Sequence, residues 1–428
     1  MTELAFAAIA DDFTGATDLA NMLVRAGLRA VLAVGVDGLH AIRSAETDAI
    51  VIALKTRSIE ARLAVEASVE AADALLRLGA KRIYFKYCST FDSTAQGNIG
   101  PVADALRARL KAAAVPFVPS FPENGRSVFH GHLFVGDALL NESGMERHPL
   151  NPMRDANLVR VLASQSRSPV ALINRDVVRR GPSAVKQELA SCMEDRPLVI
   201  LDAIDEEDLK CLAAAFYDLS LVTGGSALAF YLARHRAEIE GSDVSTSPTL
   251  SPRSGRCAIL AGSCSRRTQE QIFHFAARYP ALQLPVDDLT GGQDRVIHKA
   301  LDWIAAQQPG VPSLIYSAEI LRNASSRNDP LLSAEIESAF AAIALILIAC
   351  GFTRLIVAGG ETSGAVITAL KVRTLKVGPE ISPGVPWTQV IGGGPADGTC
   401  LALKSGNFGA ANFFSAAFER LEGVARAA

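Results

Sequence analysis

The sequence predicts an α/β protein: two α/β domains with largely parallel sheets flanked by helices. Three observations carry the prediction. Short apolar runs alternate with longer amphipathic stretches along nearly the whole chain, the pattern of strand–helix–strand units around a parallel sheet. The length of 428 residues suits two or three domains at roughly 100–200 residues each. One stretch, GSDVSTSPTLSPRSG at 241–255, loses all periodicity and is rich in serine and proline, which marks a linker.

The N-terminal domain (1–240) opens on an apolar run at 4–10, too short for a helix and therefore a buried strand. IADDFTGATDLANMLVRAG (9–27) then passes into an amphipathic helix at 15–26, with Gly27 placed for a left-handed C-cap. Further strands are expected near 29–35, 49–54, 82–86, 115–118, 170–173, 198–202 and 220–223. Helical spacing of apolar residues places helices near 60–78, 98–113, 183–193, 205–217 and 226–236, Gly79 closing the first of these. RSVFHGHLFVG (126–136) reads as a strand pair or bent strand. NESGMERHPLNPMRDANL (141–158) has too many turn residues to be regular, and long ordered loops tend to be functional. In the C-terminal domain (256–428), strands are expected near 257–261, 312–316, 354–358, 372–377 and 399–404. Helices fit near 266–278, 293–307, 333–349, 363–370 and 410–422. The longest apolar run, AFAAIALILIACGF (339–352), is shorter than the ~20 residues of a membrane span. It reads as a buried helix ending in a turn at Gly351.

Bulk composition narrows the function. Hydrophobic content of 49% and charged content of 20% are those of a globular protein with ample core. A net charge of −3 provides no global basic field for nucleic acid. The seven cysteines are scattered with no C-x-x-C pair, which points to reduced thiols in a cytoplasmic protein. The N-terminal apolar run lacks a basic start and the length of a signal peptide. No membrane or nucleic-acid partner is expected, and a homo-oligomer stays open.

Several strand ends carry residues able to do chemistry, at the edge where open α/β sheets bind ligands. Asp11 and Asp12 close the first strand, ahead of Thr14 and Gly15. One acid suffices to cap the helix, so the other is available to orient a polyol or accept a hydroxyl proton. Capping suits Asp11 better, which leaves Asp12 as the catalytic candidate of the pair. LKTRS (54–58) puts Arg57 at the same edge, where a guanidinium can grip a carboxylate through two hydrogen bonds. FKYCSTFDSTAQGNIG (85–100) supplies Lys86, the hydroxyls of Ser89, Thr90, Ser93 and Thr94, and Asp92. That set suits a sugar-like acid, although a capped loop with a surface lysine would read the same. AILAGSCSRRTQEQ (258–271), RLIVAGGETSGAVITAL (354–370) and LKSGNFGAANFF (403–414) each run from strand through small residues to helix. One such loop is also what a serine-capped helix looks like, but three in one domain form a plausible nucleotide pocket.

Other classes lose support from missing motifs. The chain contains no G-x-x-x-x-G-K-[ST], no G-x-G-x-x-G after a strand and no G-x-S-x-G, which disfavours P-loop enzymes, nicotinamide dehydrogenases and α/β hydrolases. GGGPADG (392–398) fits a turn between strands. His130 and His132 would share a face if 126–135 were a strand, yet no third metal ligand stands at motif spacing.

Eight blocks in order resemble the four-carbon acid sugar kinases. They are IADDFTGATDLANMLVRAG, YFKYCSTFDSTAQGNIGPV, GHLFV, NESGMERHPLNPMRDANL, TGGSALA, GGETSGAV, GPEISPGVPW and LALKSGNFG. KYCSTFDST and SGMERHPLNPM point to the 3-oxo-tetronate kinase branch. The resemblance spans both domains, omitting mainly the linker and roughly 318–332. It implies an acid-sugar-binding N-terminal domain, a nucleotide-binding C-terminal domain and an active site in the interdomain cleft. ATP contacts would then fall on Ser263, Gly360, Glu361, Thr362, Ser363 and Gly406, with Mg²⁺ carried by the triphosphate. Asp12 and Asp92 would orient the C4 hydroxyl of a 3-oxo-tetronate and take its proton. Asp11, Arg57, Lys86, Ser89 and Thr90 would bind the acid sugar, the two cations as carboxylate partners. D-threonate or D-erythronate as acceptor, and a non-catalytic acid-sugar or nucleotide sensor, are the competing readings.

Overall fold

Two compact units make up the computed structural model: Met1–Asp37 with Arg43–Thr246, and Gly38–Ile42 with Ser247–Ala428. The structure describes residues 4–42, 46–147, 151–194, 197–241, 250–251, 253–285, 293–317 and 330–427.

The first unit alternates strand and helix as expected. Its strands are β1 (Phe6–Ala10), β2 (Ala30–Val34), β3 (Ala49–Ala53), β4 (Ile83–Lys86), β5 (Val115–Val118), β6 (Arg126–Phe129), β7 (His132–Val135), β8 (Ala138–Leu139), β9 (Val170–Ile173), β10 (Leu198–Leu201) and β11 (Leu221–Gly224). Its helices are α1 (Phe13–Arg25), α2 (Ala61–Arg77), α3 (Ile99–Leu110), α4 (Leu158–Gln165), α5 (Arg175–Val178), α6 (Pro182–Cys192), α7 (Glu206–Phe216) and α8 (Ser226–Glu240). Eight strands pair in the order β2-β3-β1-β4-β11-β5-β10-β9, every pair parallel. Strands such as β3 (AIVIA) are buried throughout, because helices cover both faces of a parallel sheet. Gly27 and Gly79 take φ of 94° and 93° just past α1 and α2, the left-handed ends that stop those helices.

The stretch at 126–139 forms a small antiparallel sheet, β6-β7-β8. Its hairpin turns at His130 and Gly131, with φ of 47° and 70°, so the two histidines do not share a strand face as expected. Instead His132 Nδ1 lies 2.8 Å from the His130 carbonyl oxygen. The fully buried Asp202 carboxylate clips this turn to the end of β10. It accepts from the N–H groups of His130 (2.8 Å), Gly131 (2.8 Å) and Arg175 (3.1 Å).

The second unit contains β12 (Arg256–Ala261), β13 (Ala281–Gln283), β14 (Ser313–Tyr316), β15 (Phe352–Ala358), β16 (Thr374–Ser382), β17 (Val385–Ile391) and β18 (Cys400–Lys404). Its helices are α9 (Arg266–Ala276), α10 (Gln293–Ala305), α11 (Pro330–Ala349), α12 (Gly360–Ala369) and α13 (Phe413–Ala427). The order is β13-β14-β12-β15-β18-β17-β16, parallel as far as β18 and antiparallel beyond it. Gly392, Gly393 and Gly394 all have positive φ between β17 and β18, a turn as GGGPADG suggested. The long apolar run does lie in α11, but Leu345 and Ile346 stand 44% and 37% exposed while Phe340, Ile343 and Leu347 are buried. That helix is thus buried on one face only. Among the described residues no helix is long and apolar enough to cross a membrane. Part of the expected linker is docked: Leu250 sits in the core of this unit, and the Ser251 carbonyl accepts from Gln389 Nε2 at 2.7 Å. Residues 242–249 and 252 of that linker lie outside the described residues.

Trp387 anchors the second core, fully buried against Phe418 and donating through Nε1 to the Ala417 carbonyl at 2.8 Å. Truncation leaves a cavity and removes the indole's hydrogen bond. Trp387→Ala is expected to cost about 3–5 kcal/mol, read as a lowered midpoint in urea denaturation.

Candidate active site

Parallel strands end on one edge, and three neighbours, β3, β1 and β4, deliver the N-terminal candidates there. The Asp11 N–H donates to the Lys86 carbonyl (3.1 Å), while the Asp11 carbonyl accepts from the N–H groups of Thr56 and Arg57 (2.9 and 3.2 Å). With the backbones tied, Arg57 folds back onto the acids. Its Nε and Nη2 donate to Asp11 at 2.9 and 2.8 Å, Nη2 also reaches Asp12 at 2.6 Å, and Nη1 lies 3.9 Å from Asp92 Oδ2.

The two acids do not divide their work as expected. Asp12, not Asp11, caps α1: its carboxylate accepts from the Gly15 N–H at 3.1 Å and the Thr14 hydroxyl at 2.8 Å. Its backbone is extended while the next residue is helical, which lets the side chain reach forward to the third residue. Asp11, one position earlier, faces Arg57. Burial lifts the Asp11 carboxyl above its ordinary range despite Arg57. For Asp12 burial acts in the same direction, but Arg57, Lys86, Thr14 and the Gly15 N–H together overcome it and lower the pKa. Arg57 stays charged, since Asp11 and Asp12 outweigh its own burial.

Lys86 is 4% exposed. A Cβ at Gly15 would fall 2.3 Å from Lys86 Nζ and 2.2 Å from Asp12 Oδ1, so any side chain there would displace the lysine or the acid that close over the first turn of α1. Thr90 is buried with Oγ1 at 2.9 Å from Cys88 Sγ, whereas Ser89 is half-buried. Phe91, fully buried, adopts φ of 49°, an αL conformation costly for a bulky residue. It places buried Asp92 beside Arg57.

Sequence reasoning missed the residues that brace these loops. Asn98 Nδ2 donates to the carbonyls of Thr56 and Ile59 at 2.6 and 2.9 Å; its place at a helix start suggests only a cap, a role it does not take. Gln165 Oε1 accepts from the Ser93 hydroxyl and the Gly100 N–H. Two residues of the polar stretch reach this loop, with Met153 Sδ 3.3 Å from the Ser93 N and Asn151 Nδ2 3.2 Å from Ser58 Oγ; residues 148–150 of that stretch lie outside the described residues. Nothing local in the sequence pairs residues that far apart.

The second unit repeats the construction on β12, β15 and β18. The Gly262 and Ser263 N–H groups donate to the Ala358 carbonyl (3.1 and 3.2 Å), and the Gly359 N–H to that of Lys404 (2.8 Å). Gly359, at φ of 131°, precedes α12 with no side-chain cap. Thr362 and Ser363 are buried; a Cβ on Gly262 would meet Thr362 Oγ1 at 2.4 Å. Gly360 and Glu361 are exposed, and a Cβ on Gly360 would meet nothing within 4 Å. Gly406 lies against Ser263 and Ser265, whose Oγ atoms would stand 2.4 and 2.8 Å from a Cβ there.

Beneath this edge Lys404 is fully buried, its Nζ donating to the Ser405 and Gly406 carbonyls at 3.0 Å each and to Thr268 Oγ1 at 3.3 Å. Burial, with the Arg267 charge on α9, pulls its pKa down to about 7. Gln271 Nε2 holds the carbonyls of Phe408, Gly409 and Ala410 at 2.9–3.1 Å.

An acid- and hydroxyl-lined edge in one unit and strand-to-helix turns of glycine, serine and threonine in the other are the parts a two-part sugar-and-nucleotide enzyme needs. Comparison with known proteins agrees. Residues 6–232 match a sugar-binding N-terminal domain and residues 258–414 a nucleotide-binding C-terminal domain. The 3-oxo-tetronate kinase of Burkholderia multivorans is 46% identical over 429 residues, covering 97% of each chain. That of Pseudomonas fluorescens is 46% identical over 424 residues, covering 97% of this chain and 96% of its own. A crystal structure of a Haemophilus influenzae protein of the DUF1537 family superposes with a TM-score of 0.78 at 38% identity, covering 97% of this chain and 100% of that one. The chain belongs to the four-carbon acid sugar kinase family.

Two predictions test this geometry. Arg57→Met strands buried carboxylates and is expected to lower stability by roughly 3–5 kcal/mol at pH 7, whereas Arg57→Met with Asp11→Leu recovers part of the loss in the same denaturation assay. Lys404 sits at about 7 when folded against 10.5 unfolded, so its burden on stability is full below the lower value and fades as pH climbs to the higher. Measured between those limits, wild-type stability should therefore rise relative to Lys404→Met.

Proposed function

We propose that this chain is an ATP-dependent 3-oxo-tetronate 4-kinase, moving the γ-phosphoryl of ATP to the C4 hydroxyl of 3-oxo-tetronate. The observation that carries the reading is the set of relatives bearing that name, 39–46% identical over nearly the whole chain.

Phosphoryl transfer asks the protein to position reactants and neutralise charge. In this reading the C4 oxygen forms its bond to phosphorus as the bond to ADP breaks, and the hydroxyl proton passes to Asp92. Asp92 is a better acceptor than Asp12, which is already committed to Thr14, Gly15 and Arg57. Arg57 is largely engaged by Asp11, so Lys86 with Ser89 and Thr90 takes the acid group while Arg57 fixes the carboxylates. On the nucleotide side, neither backbone strain nor packing requires glycine at position 360; close approach of a phosphate would. Ser263, Thr362, Ser363 and Gly406 complete that turn set. In this reading the metal ion is carried by the triphosphate. Mg²⁺ bound there would neutralise phosphate oxygens, and Glu361 in the first turn of α12 would hold it or the ribose.

Turnover should be followed by ADP release with ATP and a panel of 3-oxo-tetronates, D-threonate and D-erythronate, with product regiochemistry read by phosphorus NMR. A 4-phosphate of the oxo acid is expected; activity confined to the two hydroxy acids overturns the acceptor, and no ADP release with any of them overturns the kinase. Asp92→Asn should lower kcat by about 10²–10⁴ with little change in KM for the acid, and Asp12→Asn should retain more activity. Gly360→Val should raise KM for ATP without altering thermal stability.

A further inference from the structure

Lys404 is the kind of residue expected to touch phosphate, yet its ammonium is turned inward. All three of its hydrogen-bond partners belong to the protein: the carbonyls of Ser405 and Gly406 and the Thr268 hydroxyl. The Gly406 carbonyl is held by two more donors, Ser265 Oγ at 2.7 Å and Thr268 Oγ1 at 2.9 Å. In a trans peptide the carbonyl of one residue and the N–H of the next point in opposite directions. Two successive carbonyls drawn onto the ammonium therefore turn two successive N–H groups, those of Gly406 and Asn407, away from it. Neither N–H has an acceptor among the described residues, and Gly406 is half-buried while Asn407 is exposed. Adjacent outward N–H groups form an anion-binding concavity.

We propose that Lys404 is a positioning residue for the nucleotide: it touches no phosphate, but organises the Gly406–Asn407 backbone into a pair of donors for a phosphate oxygen. This rests on the kinase reading above and adds to it how the Gly406 turn is made. Lys404 lies among neutral acceptors and beside the Phe413 ring, 5.9 Å from its centroid, with Arg267 the charge that acts on it. An ammonium serves this arrangement better than an amine, because it offers a donor to each of its three partners.

The test measures binding of ATP and of adenosine to the full chain by calorimetry, and KM for ATP against kcat. Lys404→Met and Asn407→Pro, the second removing one N–H outright, should each weaken ATP about tenfold or more, with adenosine changing less than about twofold. KM for ATP should rise more than kcat falls. The double variant should bind ATP no worse than the weaker single one, because both changes disable the same pair of donors. Unchanged ATP affinity in Lys404→Met overturns the proposal. So do fully additive losses, which would mean the lysine contacts phosphate independently of the turn. Should Lys404→Met fail to fold, Thr268→Val removes another donor to the Gly406 carbonyl and is read the same way. If the unaltered chain binds no ATP, the kinase reading itself falls, an outcome separate from those two.

Discussion

One guanidinium among three carboxylates governs the N-terminal unit. Arg57 is boxed by Asp11 and Asp12, with Asp92 at the margin. Buried charge of this kind is tolerated only when nearly every donor is matched, and the matching fixes three separate strand ends at once. Asp11 is tied to the turn after β3 through both its backbone and its side chain, and to β4 through the Lys86 carbonyl. Asn98 then pins the far side of the Arg57 loop. The absence of a side chain at Gly15 follows from the same crowding, since Lys86 and Asp12 occupy that space.

The second unit solves a related problem with almost no acidic groups. Its strand ends are joined by backbone hydrogen bonds and by hydroxyls, and its buried cation is satisfied by carbonyl oxygens rather than carboxylates. The difference suits the ligands proposed. A triphosphate is repelled by fixed carboxylates and welcomed by N–H groups, whereas a hydroxyl that must lose a proton needs a carboxylate close by.

Much of this was legible because parallel α/β architecture puts chemistry at strand C-termini, so DD after β1, KTR after β3 and KYCST after β4 could be read as one edge. What could not be read were features set by tertiary contact. Pro379, Pro383 and Pro386 interrupt the alternation of β16 and β17, and the pairing survives through register shifts near Glu380 and a turn at Gly384; no local pattern announces it. Asn98, Gln165 and Gln271 look like ordinary polar helix residues, and their roles exist only because a distant loop presents carbonyls to them. The choice between Asp11 and Asp12 for the cap turned on one residue of helix phase, finer than sequence patterns resolve.

Asp202 shows how a surface ribbon can borrow rigidity. Its carboxylate meets three amides from two different segments, so the tip of the hairpin is fastened to the central sheet rather than to its own strands alone. The polar stretch downstream therefore departs from a fixed anchorage. From that fixed start, and by way of short 3-10 turns at Leu140–Glu142 and Met145–Arg147, the chain can bring Asn151 and Met153 reproducibly onto Ser58 and Ser93.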